Sequence, residues 1–180
     1  MDLIHFKPLE IKHFPLLKRW LNEPHVKQWY GSQKESTLTA ITQKYTSYTQ
    51  GYKLVDGVKK TIQAMIAYNA EIPFGYIQLY NAFDFPRDGY DLKKYVASEA
   101  MLGSIDLFIG DPKFLAKGYG VLLSQQFLQD IAFKKFNKIM VDPDHTNKRA
   151  IKCYEKAGFK KVIYIQTDTM TYNILMMIER

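Results

Sequence analysis

Apolar positions along the chain change period several times, and those changes divide it. Leu3 to Leu9 alternates like an edge strand, whereas Phe14-Pro15-Leu16-Leu17-Lys18-Arg19-Trp20-Leu21 has helical spacing with proline in its first turn and Asn22-Glu23-Pro24 at its end. A short helix through His25 to Trp29 and a longer one from about Ser36 to Thr49 follow, the latter stopped by Gly51. Lys60 to Tyr68 and Phe74 to Tyr80 then read as two strands of a β-hairpin turning over Asn69 to Pro73. Residues 81–100 are aromatic and acidic without clean periodicity, a long excursion of the kind that is commonly functional. Met101 to Ile109 returns to strand, and Gly118-Tyr119-Gly120 opens a helix whose predicted core stripe is Val121, Leu122, Phe127, Leu128, Ile131 and Ala132. Lys138 to Val141 is a strand, Asn147 to Ala157 a helix closed by Gly158, and Lys161 to Gln166 and Met170 to Ile178 are final strands. The order predicts a mixed α/β sheet covered by helices, in one domain spanning residues 1–180.

Composition changes this picture little. With 47% hydrophobic and 24% charged residues the chain is an ordinary globular one, and its apolar runs are far shorter than a membrane span. The start, Met1 to Lys7, lacks the pattern of an export signal, so a soluble cytoplasmic protein is expected. Cys153 is the single cysteine, which excludes an internal disulfide and a cysteine-built zinc site. The net charge of +7 raises anionic partners. The basic residues from Lys113 to Lys161 are scattered through strand and helix patterns rather than packed into one tail, which suits a local phosphate site better than a nucleic-acid track. Neither nucleic acid nor membrane is therefore expected as a partner.

Chemistry concentrates in two segments. In Ile105-Asp106-Leu107-Phe108-Ile109 through Leu115-Ala116-Lys117-Gly118-Tyr119-Gly120, a strand leads by a loop into a glycine-rich helix start, where backbone amides and the helix dipole favour an anion. The Gly-Lys-Ser/Thr ending of a nucleoside-triphosphate loop is missing, as is a strand-linked GxGxxG. The second segment, Val141 to Phe159, places Asn147, Ala150 and Tyr154 on one helical face. His5, His13, His25 and His145 lack paired metal spacing, Cys153 reads as a packed residue, and Ser104 and Ser124 lack a nucleophile elbow, so no metal and no covalent enzyme intermediate are expected.

Together these segments resemble the GNAT-type acyl-CoA N-acyltransferases, in which a Gly-rich loop before a helix holds the coenzyme A pyrophosphate and a later Asn-x-x-Ala-x-x-x-Tyr helix flanks the thioester. The superfamily's usual Gln or Arg three residues before the first glycine is Leu115 here. The match sharpens to the aminoglycoside 6'-N-acetyltransferases through Leu16 to Asn22, His25-Val26, Trp29-Tyr30-Gly31, Pro73 to Gln78, Ile105-Asp106, Leu115 to Gly120, Asp142-Pro143 and Arg149 to Phe159. This resemblance implies a GNAT-type fold, a mixed, mostly antiparallel central sheet flanked by helices. It also implies direct acetyl transfer from acetyl-CoA to a primary amine of an aminoglycoside, with another amine (a siderophore hydroxylysine, a polyamine or a protein amino group) as the alternative acceptor. A non-catalytic acyl-CoA-binding module would keep the same loop without turnover.

Residue by residue, the resemblance makes Asp106 the acid facing the acceptor amine and Tyr154 the proton donor to the departing sulfur. Leu107, Phe108, Ile109, Leu115, Ala116, Lys117, Gly118, Tyr119, Gly120, Asn147, Ala150 and Tyr154 are the expected cofactor contacts. A polycationic amino sugar calls for acids and flat apolar faces, which Asp88, Asp91, Glu99, Asp106, Asp142 and Asp144, with Trp29, Tyr45, Tyr80 and Tyr90, can supply. The acceptor set is Trp29, Tyr45, Gln78, Tyr80, Asp88, Asp106 and Asp142, in a monomer or homodimer.

Overall fold

The computed structural model describes residues 3–30, 37–87, 89–97, 101–167 and 170–180. Among them the order is β1 (Ile4–Pro8), α1 (Phe14–Leu21), α2 (Pro24–Lys27), α3 (Leu38–Thr49), β2 (Tyr52–Val55), β3 (Val58–Asn69) and β4 (Ile72–Asn81). Then come β5 (Leu102–Ile109), α4 (Tyr119–Asp130), β6 (Lys138–Val141), α5 (Lys148–Ala157), β7 (Lys160–Gln166) and β8 (Tyr172–Glu179), with short 3-10 turns between. The architecture is mixed α/β, with an open, mostly antiparallel sheet and helices. No helix among the described residues is long and apolar enough to cross a membrane. The chain folds as two compact units, residues 1–78 with 107–120 and residues 79–106 with 121–180.

In the first unit the strand order is β1-β3-β4, with β2 also on β3; β1 and β2 both pair antiparallel to β3. The β2–β3 hairpin is absent from the sequence expectation. It turns on Asp56 and Gly57, whose φ values of 48° and 77° fit the primed turn that matches strand twist. The expected β3–β4 turn tightens to Ala70-Glu71, with Ala70 at φ 50°. α1 buries Phe14, Leu17, Trp20 and Leu21, one stripe at helical spacing. α3 starts two residues later than expected because Thr37 caps it, its Oγ1 accepting the Ala40 amide at 3.2 Å. It buries Ile41, Tyr45 and Tyr48, and Tyr45 packs edge-on against both Tyr48 and Tyr76.

In the second unit the order is β4-β5-β6-β8-β7, with β5 and β6 parallel and the β6–β8 and β8–β7 pairs antiparallel. Ala82 and Leu92 from the long excursion pack with Leu102, Met140, Ile165 and Leu175, so that excursion is anchored in the core. α4 corrects the predicted stripe: Leu123, Ser124, Phe127 and Leu128 are buried, whereas Val121 and Leu122 are only half-buried and the helix ends before Ile131. α5 is as expected, capped by Asn147 and ended by Gly158 at φ 108°, a left-handed position that suits glycine.

Candidate active site

Two sets of functional residues stand in the two units. In the first, the end of β5 and the following loop form a fixed platform. Phe108 stacks on Tyr76 at 5.3 Å and meets Tyr30 and Trp20 edge-on, while the Gly110 amide donates to the Phe74 carbonyl at 2.8 Å. His25 Nε2 donates to the Ile109 carbonyl at 2.9 Å, so a histidine that sequence reasoning set aside ties α2 to the strand end. Phe114 stacks on Phe74 at 4.8 Å, and Tyr119 packs edge-on to both rings. Between these anchors, Ala116 and Gly118 adopt positive φ (59° and 84°), and residues 116–118 are exposed where the chain enters α4. Exposed left-handed residues just before a helix start are the kind of place where an anion such as the pyrophosphate expected at Leu115 to Gly120 is favoured.

The second unit collects acids and phenols. Tyr80 on β4 donates to Asp106 Oδ2 on β5 at 2.8 Å. Asp142, at the end of β6, accepts from Tyr90 through Oδ2 at 2.6 Å and from Arg87 Nη1 through Oδ1 at 3.1 Å. Arg87 Nη2 also donates to Ser104 Oγ at 2.8 Å, and its guanidinium carbon lies 5.6 Å from the centre of the Tyr80 ring. Burial raises the Asp142 carboxyl from its ordinary value, although Arg87 and Tyr90 both pull the other way. Burial, then Asp106, pushes the Tyr80 phenol well up. Tyr154 is buried on α5, its ring edge-on to Phe159 at 5.5 Å. Burial and the nearby Asp106 raise its phenol far above the usual range, so it stays protonated at neutral pH, with an O–H available as a hydrogen-bond donor. Burial likewise pushes the neighbouring Cys153 thiol up to about 11, unlike an activated nucleophile.

Of the predicted acceptor residues, Tyr80, Asp106 and Asp142 converge here, within electrostatic reach of Tyr154. Trp29, Tyr45 and Gln78 belong to the other unit. Trp29 is exposed; Gln78 is buried and accepts from the Tyr76 hydroxyl at 2.6 Å; Tyr45 is 0% exposed, its ring spent on packing rather than open to a sugar. Asp88 and Glu99 lie outside the described residues, and Asp91 and Asp144 cap local turns through Lys93 and Thr146. Asn147 accepts the Ala150 amide at 3.1 Å, so both predicted cofactor contacts are joined in the α5 cap. Arg87 was missed, although it immediately precedes the acidic Asp88-Gly89-Tyr90 stretch. Among the described residues no group of three or more His, Cys, Asp and Glu could hold a metal ion.

Residues 10–167 match the family model described as acetyltransferase (GNAT) domain. The chain belongs to the GNAT acetyltransferase family. This GNAT domain is 30% identical over 149 residues to aminoglycoside N(6')-acetyltransferase type 1 of Klebsiella pneumoniae, an alignment that covers 81% of the chain and 68% of the relative. Its fold is similar to AAC(6')-Ib in complex with paromomycin and acetyl-CoA, with a TM-score of 0.80, 26% identity and coverage of 99% and 94% of the two chains. AAC(6')-Ib in complex with coenzyme A and kanamycin gives a TM-score of 0.78 at 25% identity, covering 98% and 95%.

Proposed function

We propose that this GNAT domain transfers the acetyl group of acetyl-CoA to a primary amine of an aminoglycoside, the 6'-amino group. The Asp106–Tyr80 and Asp142–Arg87–Tyr90 cluster carries the reading, because it sets carboxylates among aromatic rings in an otherwise basic protein, as a cationic amino sugar requires. Relatives whose names and bound molecules are aminoglycosides and coenzyme A support it.

The Leu115 to Gly120 segment, exposed at residues 116–118, would hold the pyrophosphate of acetyl-CoA on its backbone amides, with strand amides at Leu107 to Ile109 toward the pantetheine arm. Acetyl-CoA, when bound, supplies the activated thioester. Asp106 holds the acceptor ammonium and takes its proton, directly or through water, freeing the nitrogen lone pair for attack. As the new C–N bond forms and the C–S bond breaks, Tyr154 gives its phenolic proton to the sulfur and regains one from the nitrogen, which sheds its second proton on becoming an amide; the buried phenol thus ends protonated, as it is at neutral pH. Tyr80 orients the Asp106 carboxylate through its 2.8 Å hydrogen bond. The test is thiol release from acetyl-CoA with kanamycin, tobramycin, amikacin and spermidine. Turnover with the aminoglycosides is expected. Turnover confined to spermidine would overturn the acceptor assignment, and thiol release with none of them would overturn the reading as a whole.

A further inference from the structure

The acidic cluster already contains a cation. Arg87 reaches it from the long excursion, and the side chains of Arg87 and Asp142 are only 10% and 13% exposed. With Tyr90 donating to one carboxylate oxygen and Arg87 to the other, both oxygens of Asp142 are bonded to the same short stretch of chain. That stretch is held on further sides. Arg87 and Tyr90 pair in an antiparallel bridge, Arg87 also bonds Ser104 on β5, and a Cβ at Gly89 would sit 2.2 Å from the Thr167 carbonyl oxygen. A surface carboxylate waiting for a substrate amine would look different. Asp142 is packed, bidentately satisfied and matched by a charge from its own chain.

We infer that Arg87 is a positioning residue of the acceptor site: it neutralises Asp142, fastens its own loop to β6, and so leaves Asp106 as the carboxylate that meets the acceptor amine. The inference rests on the proposed function and narrows it, since recognition of the reacting ammonium falls to one acid rather than two. Arg87 also lies over the Tyr80 ring whose hydroxyl holds Asp106, so the same guanidinium steadies both carboxylates.

Without Arg87, Asp142 would face Tyr90 from the loop, Asp106 from β5, Tyr80 from β4 and Tyr154 from α5, with no cation among them. A buried carboxylate in that company takes up a proton at higher pH than one paired with a cation. The test compares wild type, R87M, R87K and R87M/D142N in pH profiles of kcat/KM with kanamycin over about pH 6 to 9. R87M should lose about 10- to 100-fold at neutral pH and gain an ionisation absent from wild type. R87K, which keeps the charge without the fork, should fall between. R87M/D142N, which removes both charges while an amide oxygen still accepts from Tyr90, should recover most of the loss and drop the added ionisation. A simple packing role for Arg87 predicts no such rescue. A wild-type profile in R87M, or R87M/D142N no better than R87M with both folded by circular dichroism, would overturn the inference. The pairing is also read without any acceptor, from the carboxyl carbon-13 shift of Asp142. Its titration should move upward in R87M, or in R87K if R87M does not fold, and an unmoved titration overturns the pairing. If wild type fails to acetylate any aminoglycoside, the proposed function falls, and the carbon-13 titration alone decides the Arg87–Asp142 pairing.

Discussion

Replacing Gly110 by alanine tests the platform beneath the cofactor loop. An added Cβ would lie 2.1, 2.2 and 2.6 Å from Cδ2, Cγ and Cε2 of Trp20, against about 3.5–4.0 Å for carbon atoms in comfortable contact. The indole would have to retreat by more than about 1 Å, and it is 0% exposed with its ring edge-on to Phe108. Phe108 is itself stacked on Tyr76 and touched by Tyr30, so a displacement toward it meets packed rings. Overpacking of this kind costs about 1–3 kcal/mol, and the rigid neighbours place G110A toward the upper end. At roughly 2–4 °C per kcal/mol for a chain of this size, G110A should lower Tm by about 4–12 °C in circular dichroism melts. Because Gly110 follows Leu107 to Ile109, acetyl-CoA should also bind more weakly. Shrinking the indole in W20F/G110A should restore part of the lost Tm. A Tm within about 1 °C of wild type, where overpacking should take several, would refute the packing argument.

Three further outcomes follow from the site and the core. Y154F should lower kcat by about 10²- to 10⁴-fold in the thiol-release assay while leaving Tm nearly unchanged, since phenylalanine keeps the edge contact with Phe159; equal kcat would remove Tyr154 from the reaction. D106N should cut kcat/KM for kanamycin and leave acetyl-CoA affinity intact in calorimetry, because an amide oxygen still accepts the Tyr80 hydrogen bond; an unchanged kcat/KM would reject its role. Burial holds the His13 imidazole below its ordinary pKa, with Nδ1 accepting the Glu10 amide at 3.0 Å and Nε2 bonded to Tyr68 at 3.1 Å. The unfolded chain therefore binds this proton first, so the contribution is complete above about pH 6.5 and is lost as pH falls toward the lowered folded value. Urea midpoints should decline across that window in wild type and flatten in H13Q; parallel curves would contradict the assignment.

What could be read from sequence was whatever is written locally. The loop at Lys117 to Gly120, the stop at Gly158 and the α1 stripe rest on backbone conformation or helical spacing, and each stands where it was expected. The β2–β3 hairpin escaped because Tyr52 to Val55 are half-exposed and show no clean alternation, although Asp56-Gly57 carried the turn chemistry. The phase of α4 was misjudged because Val121-Leu122-Leu123 is an unbroken apolar run and Ser124, a polar residue, is 0% exposed. Asp142 was picked out as an acid, but its partner was not. Arg87 lies 55 residues earlier, and a buried guanidinium announces itself only when the fold brings a carboxylate to it. Tyr45 is expected to stack on a sugar ring, yet it is buried on α3 with its ring edge-on to Tyr48 and Tyr76, a burial that the Thr- and Ser-rich helix sequence does not announce.

The acceptor assignment is tested most directly by incubating the purified protein with acetyl-CoA and kanamycin and assigning the acetylated nitrogen of the product by NMR. A single product acetylated on the 6'-amino group is expected, and it is lost in D106N. Acetylation of a different amine, or a product that D106N forms as fast as wild type, would contradict the assignment.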